Sequence, residues 1–131
     1  MARVRVAAAA VIGALCGAGS LHLVHIQGVR AQGAGPAYLV GETQITDPES
    51  FREYAQKFPA TLAPHGAIIV AQGGKTDAKE GSPPAGRVII IRYPSLKAAE
   101  DAWNDPAYQA LIPLRQKSST SRIFIVEGIA S

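Results

Sequence analysis

The chain has 131 residues, of which 13 are Lys or Arg and 10 are Asp or Glu, giving a formal net charge of +3. Arg3, Arg5 and Arg30 all precede residue 32, so the remainder carries 10 basic and 10 acidic side chains and keeps no basic surplus for nucleic acid or an anionic membrane. The single cysteine, Cys16, lies in the same N-terminal stretch, which excludes disulfide and thiol chemistry from residue 32 onward.

Residues 1–31 have the order of a secretion signal. Met1 to Arg5 carries two arginines and no acid, Val6 to Leu15 is an apolar run rich in alanine, and the chain then turns glycine-rich and polar. Val29-Arg30-Ala31 sets small side chains at the third and first positions before a cut, so cleavage is expected before Gln32, leaving an exported, periplasmic chain. The competing reading is an uncleaved membrane anchor reaching Ile26, about 20 residues long. Gly13, Gly17, Gly19, Ser20, His22 and His25 make its second half a poor lipid span, and membrane contact is expected only through this leader if it stays attached. Leu15 precedes Cys16 where a lipid-attachment signal calls for a small residue, which argues against lipidation.

Residues 32–36 read as a linker, and 37–131 as one domain. Ala37 to Ile45 has strand character. Asp47-Pro48-Glu49 then supplies an N-cap, a first-turn proline and a first-turn acid. Phe51, Tyr54, Ala55 and Phe58 recur at helical spacing, and Pro59 and Pro64 end that helix. His65-Gly66 leads into a second strand, Ala67 to Gln72, and Gly73 to Gly86 reads as an exposed hairpin loop. Arg87 to Tyr93 is the third strand. A second helix begins after Pro94-Ser95, carries Ala99 and Trp103 on one face, and is broken and restarted by Asp105-Pro106. Its second half aligns Tyr108, Leu111, Ile112 and Arg115, with a local distortion expected at Pro113. Arg122 to Ile129 forms the last strand.

The order strand-helix-strand, strand-helix-strand predicts an α+β fold of the ferredoxin-like βαββαβ kind: a four-stranded antiparallel sheet with helices on one face. Ile68-Ile69-Val70, Val88 to Ile91 and Ile123 to Val126 are apolar at consecutive positions, so both sheet faces look dry although two helices cover only one. A homodimer packed sheet against sheet is the expected cover. The alternative is that β-propensity alone explains the Ile and Val.

Several motifs within the domain resemble the family known as domain of unknown function 1330. They are Thr46-Asp47-Pro48-Glu49 at the first helix start, His65-Gly66-Ala67 before a strand that ends at Gly73-Gly74, and Glu80-Gly81. Pro94-Ser95, the Asp105 to Leu111 run with Pro113-Leu114-Arg115, and the closing Ile125 to Gly128 complete the set. His65 departs from the pattern, where an aromatic residue is more usual. The family resembles the dimeric α+β barrels, which include cofactor-free monooxygenases; that implies the fold and the dimer but no particular reaction.

No reaction motif stands out in the residues themselves. Gly73-Gly74-Lys75-Thr76 would need a glycine at position 69 to be a phosphate loop, and Ile69 stands there. His65 is the only histidine after residue 31, too few for a metal cluster, and no Gly-x-Ser-x-Gly turn holds a serine nucleophile. No metal and no cofactor are expected. The catalytic candidate is His65, as an acid or base. The ligand-binding candidates are Tyr54, Trp103 and Tyr108 as aromatic walls, with Arg115 anchoring a carboxylate or phenolate and Glu127 beside it. Arg115 has structural alternatives: snorkelling to solvent, or pairing with Glu127 or Asp105. Two function classes remain. One is a small-molecule binding or fold-completing module; the other is a cofactor-independent enzyme, monooxygenase- or isomerase-like, acting on an aromatic or polyketide-like substrate.

Overall fold

The computed structural model describes residues 35–131. The expected leader and its cleavage point before Gln32 lie outside the described residues. The chain runs β1 (Ala37–Ile45), α1 (Pro48–Lys57), β2 (Ile68–Gln72), β3 (Arg87–Tyr93), α2 (Leu96–Asn104), α3 (Pro106–Gln109), α4 (Ile112–Ser118) and β4 (Ser119–Glu127). The strands form one sheet in the order β2-β3-β1-β4, every neighbouring pair antiparallel. This is the ferredoxin-like α+β fold, with the helices on one face.

Local chemistry explains where the helices begin. The Asp47 carboxylate accepts from the backbone N–H groups of Glu49 and Ser50, satisfying donors that no helical carbonyl reaches, and Pro48 fills the position where a missing N–H costs nothing. The Ser95 hydroxyl does the same for Ala98 at α2, and the Asp105 carboxylate for Ala107 at α3. Gly66 closes the turns after α1 in the left-handed conformation, φ 64°, which a residue with a Cβ adopts at a cost.

Several boundaries differ from the sequence reading. The second strand starts at Ile68, not Ala67. The last strand starts at Ser119 instead of Arg122 and ends at Glu127 instead of Ile129. Ser119, Thr120 and Ser121 carry no apolar signal, yet they pair in register with Ile45, Gln44 and Thr43, helped by a 3.1 Å contact between the Thr43 and Ser121 hydroxyls. The expected second half of helix two is itself two pieces, α3 and α4. Pro113 does not distort a helix interior: it sits in the first turn of α4, where its fixed φ suits a helix start.

Residues alternate between faces along each strand. Leu39 on β1 and Ile91 and Tyr93 on β3 point toward the helices and meet Tyr54, Phe58, Leu62, Ala99, Ala102, Tyr108 and Leu111 in the core. The opposite face also carries apolar side chains, because Val40 is flanked in register by Ile90 and Phe124, and Tyr38 by Arg92 and Val126. On the outer strands this face is open. Ile68 is 56% exposed, Phe124 45% and Val126 47%.

Candidate functional site

Between the helices and the covered face of the sheet lies a cleft of about 80 Å³. Its walls are aromatic. Ring centroids run Phe51 to Tyr54 at 5.3 Å, Tyr54 to Phe58 at 5.4 Å, Phe58 to Tyr108 at 5.9 Å and Tyr108 to Trp103 at 5.3 Å. The helical spacing of α1 supplies the first three, while the break at Asp105 turns the chain so that Trp103 before it and Tyr108 after it reach the same cleft. Leu39, Thr43, Ile89 and Tyr93 form the floor from the strands.

Arg115 lines this cleft from α4 and is only 7% exposed. Its Nε has no hydrogen-bond partner among the described residues, and the guanidinium forms no salt bridge there. The chain's ten carboxylates all fall after residue 41, and none of them lines the cleft. The helix that carries Arg115 is firmly held. The Ser119 hydroxyl donates to the Arg115 carbonyl at 2.6 Å, and the backbone N–H groups of Thr46 and Asp47 both donate to the Ser118 carbonyl, tying the end of α4 to the start of α1. A buried cation is thus fixed by its backbone and left open at its charged end.

The tyrosines around it are kept as neutral donors. Burial above all, and then the neighbouring Tyr108, push the Tyr54 hydroxyl far above the ordinary phenol range, while the Arg115 guanidinium pulls the other way. Burial, with Tyr108 again second, pushes Tyr93 up to about 12. The folded chain therefore keeps a proton on Tyr93 that the unfolded chain releases near its ordinary value of 10.0. Tyr93's contribution to stability should be fully present below that pH and fall by about 2 kcal/mol as pH rises to about 12, and Tyr54, raised by the same burial, adds to the loss over that window. Denaturant melts at stepped alkaline pH measure this, and a flat stability across that window would contradict a buried phenol.

Of the residues singled out in the sequence, Tyr54, Trp103, Tyr108 and Arg115 come together in the cleft. His65 and Glu127 do not. The His65 Nε2 lies 2.8 Å from the Asp105 carboxylate, in a half-buried pair that ties the turns after α1 to the cap of α3. The Ala107 N–H and then His65 hold the Asp105 carboxyl below the usual carboxylate range. Asp105 is therefore His65's partner and not Arg115's. Glu127 ends β4 on the surface, opposite Ala37, where the sheet carries it clear of the cleft. The sequence reading missed Arg87 and Tyr93, although their even spacing on one strand with Ile89 and Ile91 was the available signal that all four share a face. Among the described residues no group of three or more His, Cys, Asp or Glu side chains comes together to hold a metal ion.

The cleft opens at its exposed members, Ala55 on α1 and Gln72, Gly73 and Arg87 where the hairpin loop leaves β2 and returns to β3. Gly73 has φ 63°, and a Cβ there would lie 2.8 Å from both Nε and Nη2 of Arg87. The guanidinium lies across this glycine at the rim.

A family model described as domain of unknown function (DUF1330) matches residues 36–129. The chain belongs to that family. Among solved structures, one of similar shape is a protein of unknown function from Rhodopseudomonas palustris, 20% identical, with TM-score 0.60 over 82% of this chain and 94% of that one. A dimeric ferredoxin-like protein of unknown function from Jannaschia sp. CCS1 is 14% identical, with TM-score 0.56 over 72% of this chain and 100% of that one. SnoaB from Streptomyces nogalater, a cofactor-independent oxygenase, is 17% identical, with TM-score 0.53 over 75% of this chain and 97% of that one. At these identities the likeness is one of fold. No curated protein matches the chain.

Proposed function

We propose that this DUF1330 chain is an exported homodimer that binds a small molecule in the cleft between its helices and its sheet. The observation that carries the reading is Arg115, a cation buried among aromatic rings with an unpartnered Nε and no carboxylate in the wall. Leaving a buried donor unpaired costs about 1 to 3 kcal/mol, a penalty that a fold-completing role does not offset but a bound ligand does. Ordinary core positions are apolar or paired. The homodimer rests on the apolar outer face, where Ile68, Phe124 and Val126 are each about half exposed, and gains support from the dimeric fold relative in Jannaschia.

Binding is favoured over catalysis by the same wall. A reaction that runs by proton transfer is helped by a group in the site that takes or gives a proton close to neutral pH. His65 lies outside the cleft, no carboxylate lines it, and burial keeps the Tyr54 and Tyr93 phenols protonated.

Native mass spectrometry of the protein from a periplasmic fraction tests all three parts together. The expected species is a dimer whose chains begin near Gln32 and carry one small molecule each. An empty monomer would overturn the binding and the dimer. A chain that still begins at Met1 in the membrane fraction would overturn export.

A further inference from the structure

The charged groups of the cleft have one sign, and the acceptors in its wall are the neutral oxygens of Thr43, Thr61, Gln72 and the tyrosines. Arg115 and Arg87 offer only donors, the buried Tyr54 and Tyr93 hydroxyls stay protonated, and no carboxylate is present to receive a donor from a ligand. The buried Arg115 Nε, with no carboxylate in the wall to meet it, calls for an acceptor that brings negative charge. Size adds a second constraint. A cavity of about 150 Å³ accepts benzene, so a cleft of about 80 Å³ encloses a charged head with few carbons and leaves the rest of the molecule at the mouth.

From this we infer that the ligand is an organic oxyanion with an apolar or aromatic body, entering head first. Its carboxylate or phenolate oxygen meets Arg115 among the rings of Tyr54 and Tyr108, and its body extends past Gly73 beneath the Arg87 side chain. The inference rests on the binding reading above and adds to it the class of ligand and its direction. Head-first entry follows from the position of the two arginines. The buried one has an Nε without a partner among the described residues, whereas the exposed one at the rim is already solvated and gains little from an anion.

Matched probes test class and direction on the full protein by isothermal titration calorimetry. Biphenyl-4-carboxylate should bind at least tenfold more tightly than biphenyl-4-carboxamide, which has the same shape without the charge. It should also bind at least tenfold more tightly than biphenyl-2-carboxylate, whose second ring would collide with the cleft walls beside the carboxylate. A second matched pair, 4-phenylphenolate above its pKa against 4-methoxybiphenyl, separates a phenolate site from a carboxylate one. Arg115→Lys, which keeps the charge but loses the planar fork, should lose at least tenfold in affinity for the carboxylate; Arg87→Ala should lose less than fivefold.

Equal binding of acid and amide would overturn the oxyanion assignment while leaving a binding cleft in place. Tighter binding of the 2-isomer, or a larger loss from Arg87→Ala than from Arg115→Lys, would overturn head-first entry. Binding of inorganic phosphate as tight as any of the aromatic probes would overturn the apolar body. If no probe of either charge binds, and thermal melting shows the protein folded, both this inference and the binding reading fall.

Discussion

Arg115→Met is expected to melt higher than the parent protein when no ligand is present. The methionine keeps an unbranched stem of similar reach, so the packing of α4 against the cleft is largely preserved, while the buried charge is removed. Breaking a buried ion pair costs stability because it strands a partner; here no carboxylate in the wall is stranded. The substitution should therefore recover the cost of the unsatisfied Nε, about 1 to 3 kcal/mol. For a domain of this size each kcal/mol moves the melting temperature by about 4 to 8 °C. Binding should change in the opposite sense, with affinity for an organic oxyanion falling by about 1.5 to 3 kcal/mol. Differential scanning calorimetry and titration on the same two proteins read both effects. A melting temperature lowered by a loss of about 3 kcal/mol or more would mean that Arg115 is paired in solution, and would remove it as a ligand anchor.

Phe124→Asp should turn the proposed dimer into a folded monomer. Phe124 stands on the outer sheet face beside Val40 and is 45% exposed in a single chain, so an aspartate there remains solvated in the monomer. In a two-fold interface each substitution occurs twice, and two unpaired carboxylates would be buried at the contact. Even about 3 kcal/mol of penalty weakens association more than a hundredfold. Sedimentation equilibrium should show the parent as a dimer and the variant as a monomer at micromolar concentration, with an unchanged circular dichroism spectrum. A parent chain that sediments as a monomer, or a variant that remains a dimer, would rule out packing through this face.

Order and kind of elements were legible because their signals are local. Asp47-Pro48, Ser95 and Asp105-Pro106 mark helix starts by chemistry confined to a few residues, and the consecutive isoleucines mark strands. Boundaries set by partners were not. Ser119 to Ser121 belong to β4 only because β1 lies alongside, and Pro113 opens a helix only because the chain has already turned at Leu111. The site divides in the same way. Tyr54, Tyr108 and Arg115 follow from helical spacing. Glu127 and Asp105 were matched to Arg115 by their charge, and only the tertiary arrangement puts Asp105 against His65 and sends Glu127 to the far end of its strand. Arg87 was hidden at the start of an apolar run, where its face depends on strand parity and its role on the cleft beside it.

The position of β1 governs when this chain can fold. It is the first strand among the described residues, yet its neighbours are β3 and β4, so Ala37 waits for Tyr93 on one side and Glu127 on the other. Contacts so distant along the chain require large loops to close before any of them is rewarded, which makes folding slower than that of a helical bundle of the same size. A nascent chain that has not yet reached β4 has one edge of β1 unpaired and lacks part of the wall around the cleft. Closure of the sheet therefore waits for β4, and a chain halted before Ser119 would leave that edge of β1 bare even where its other edge has paired with β3.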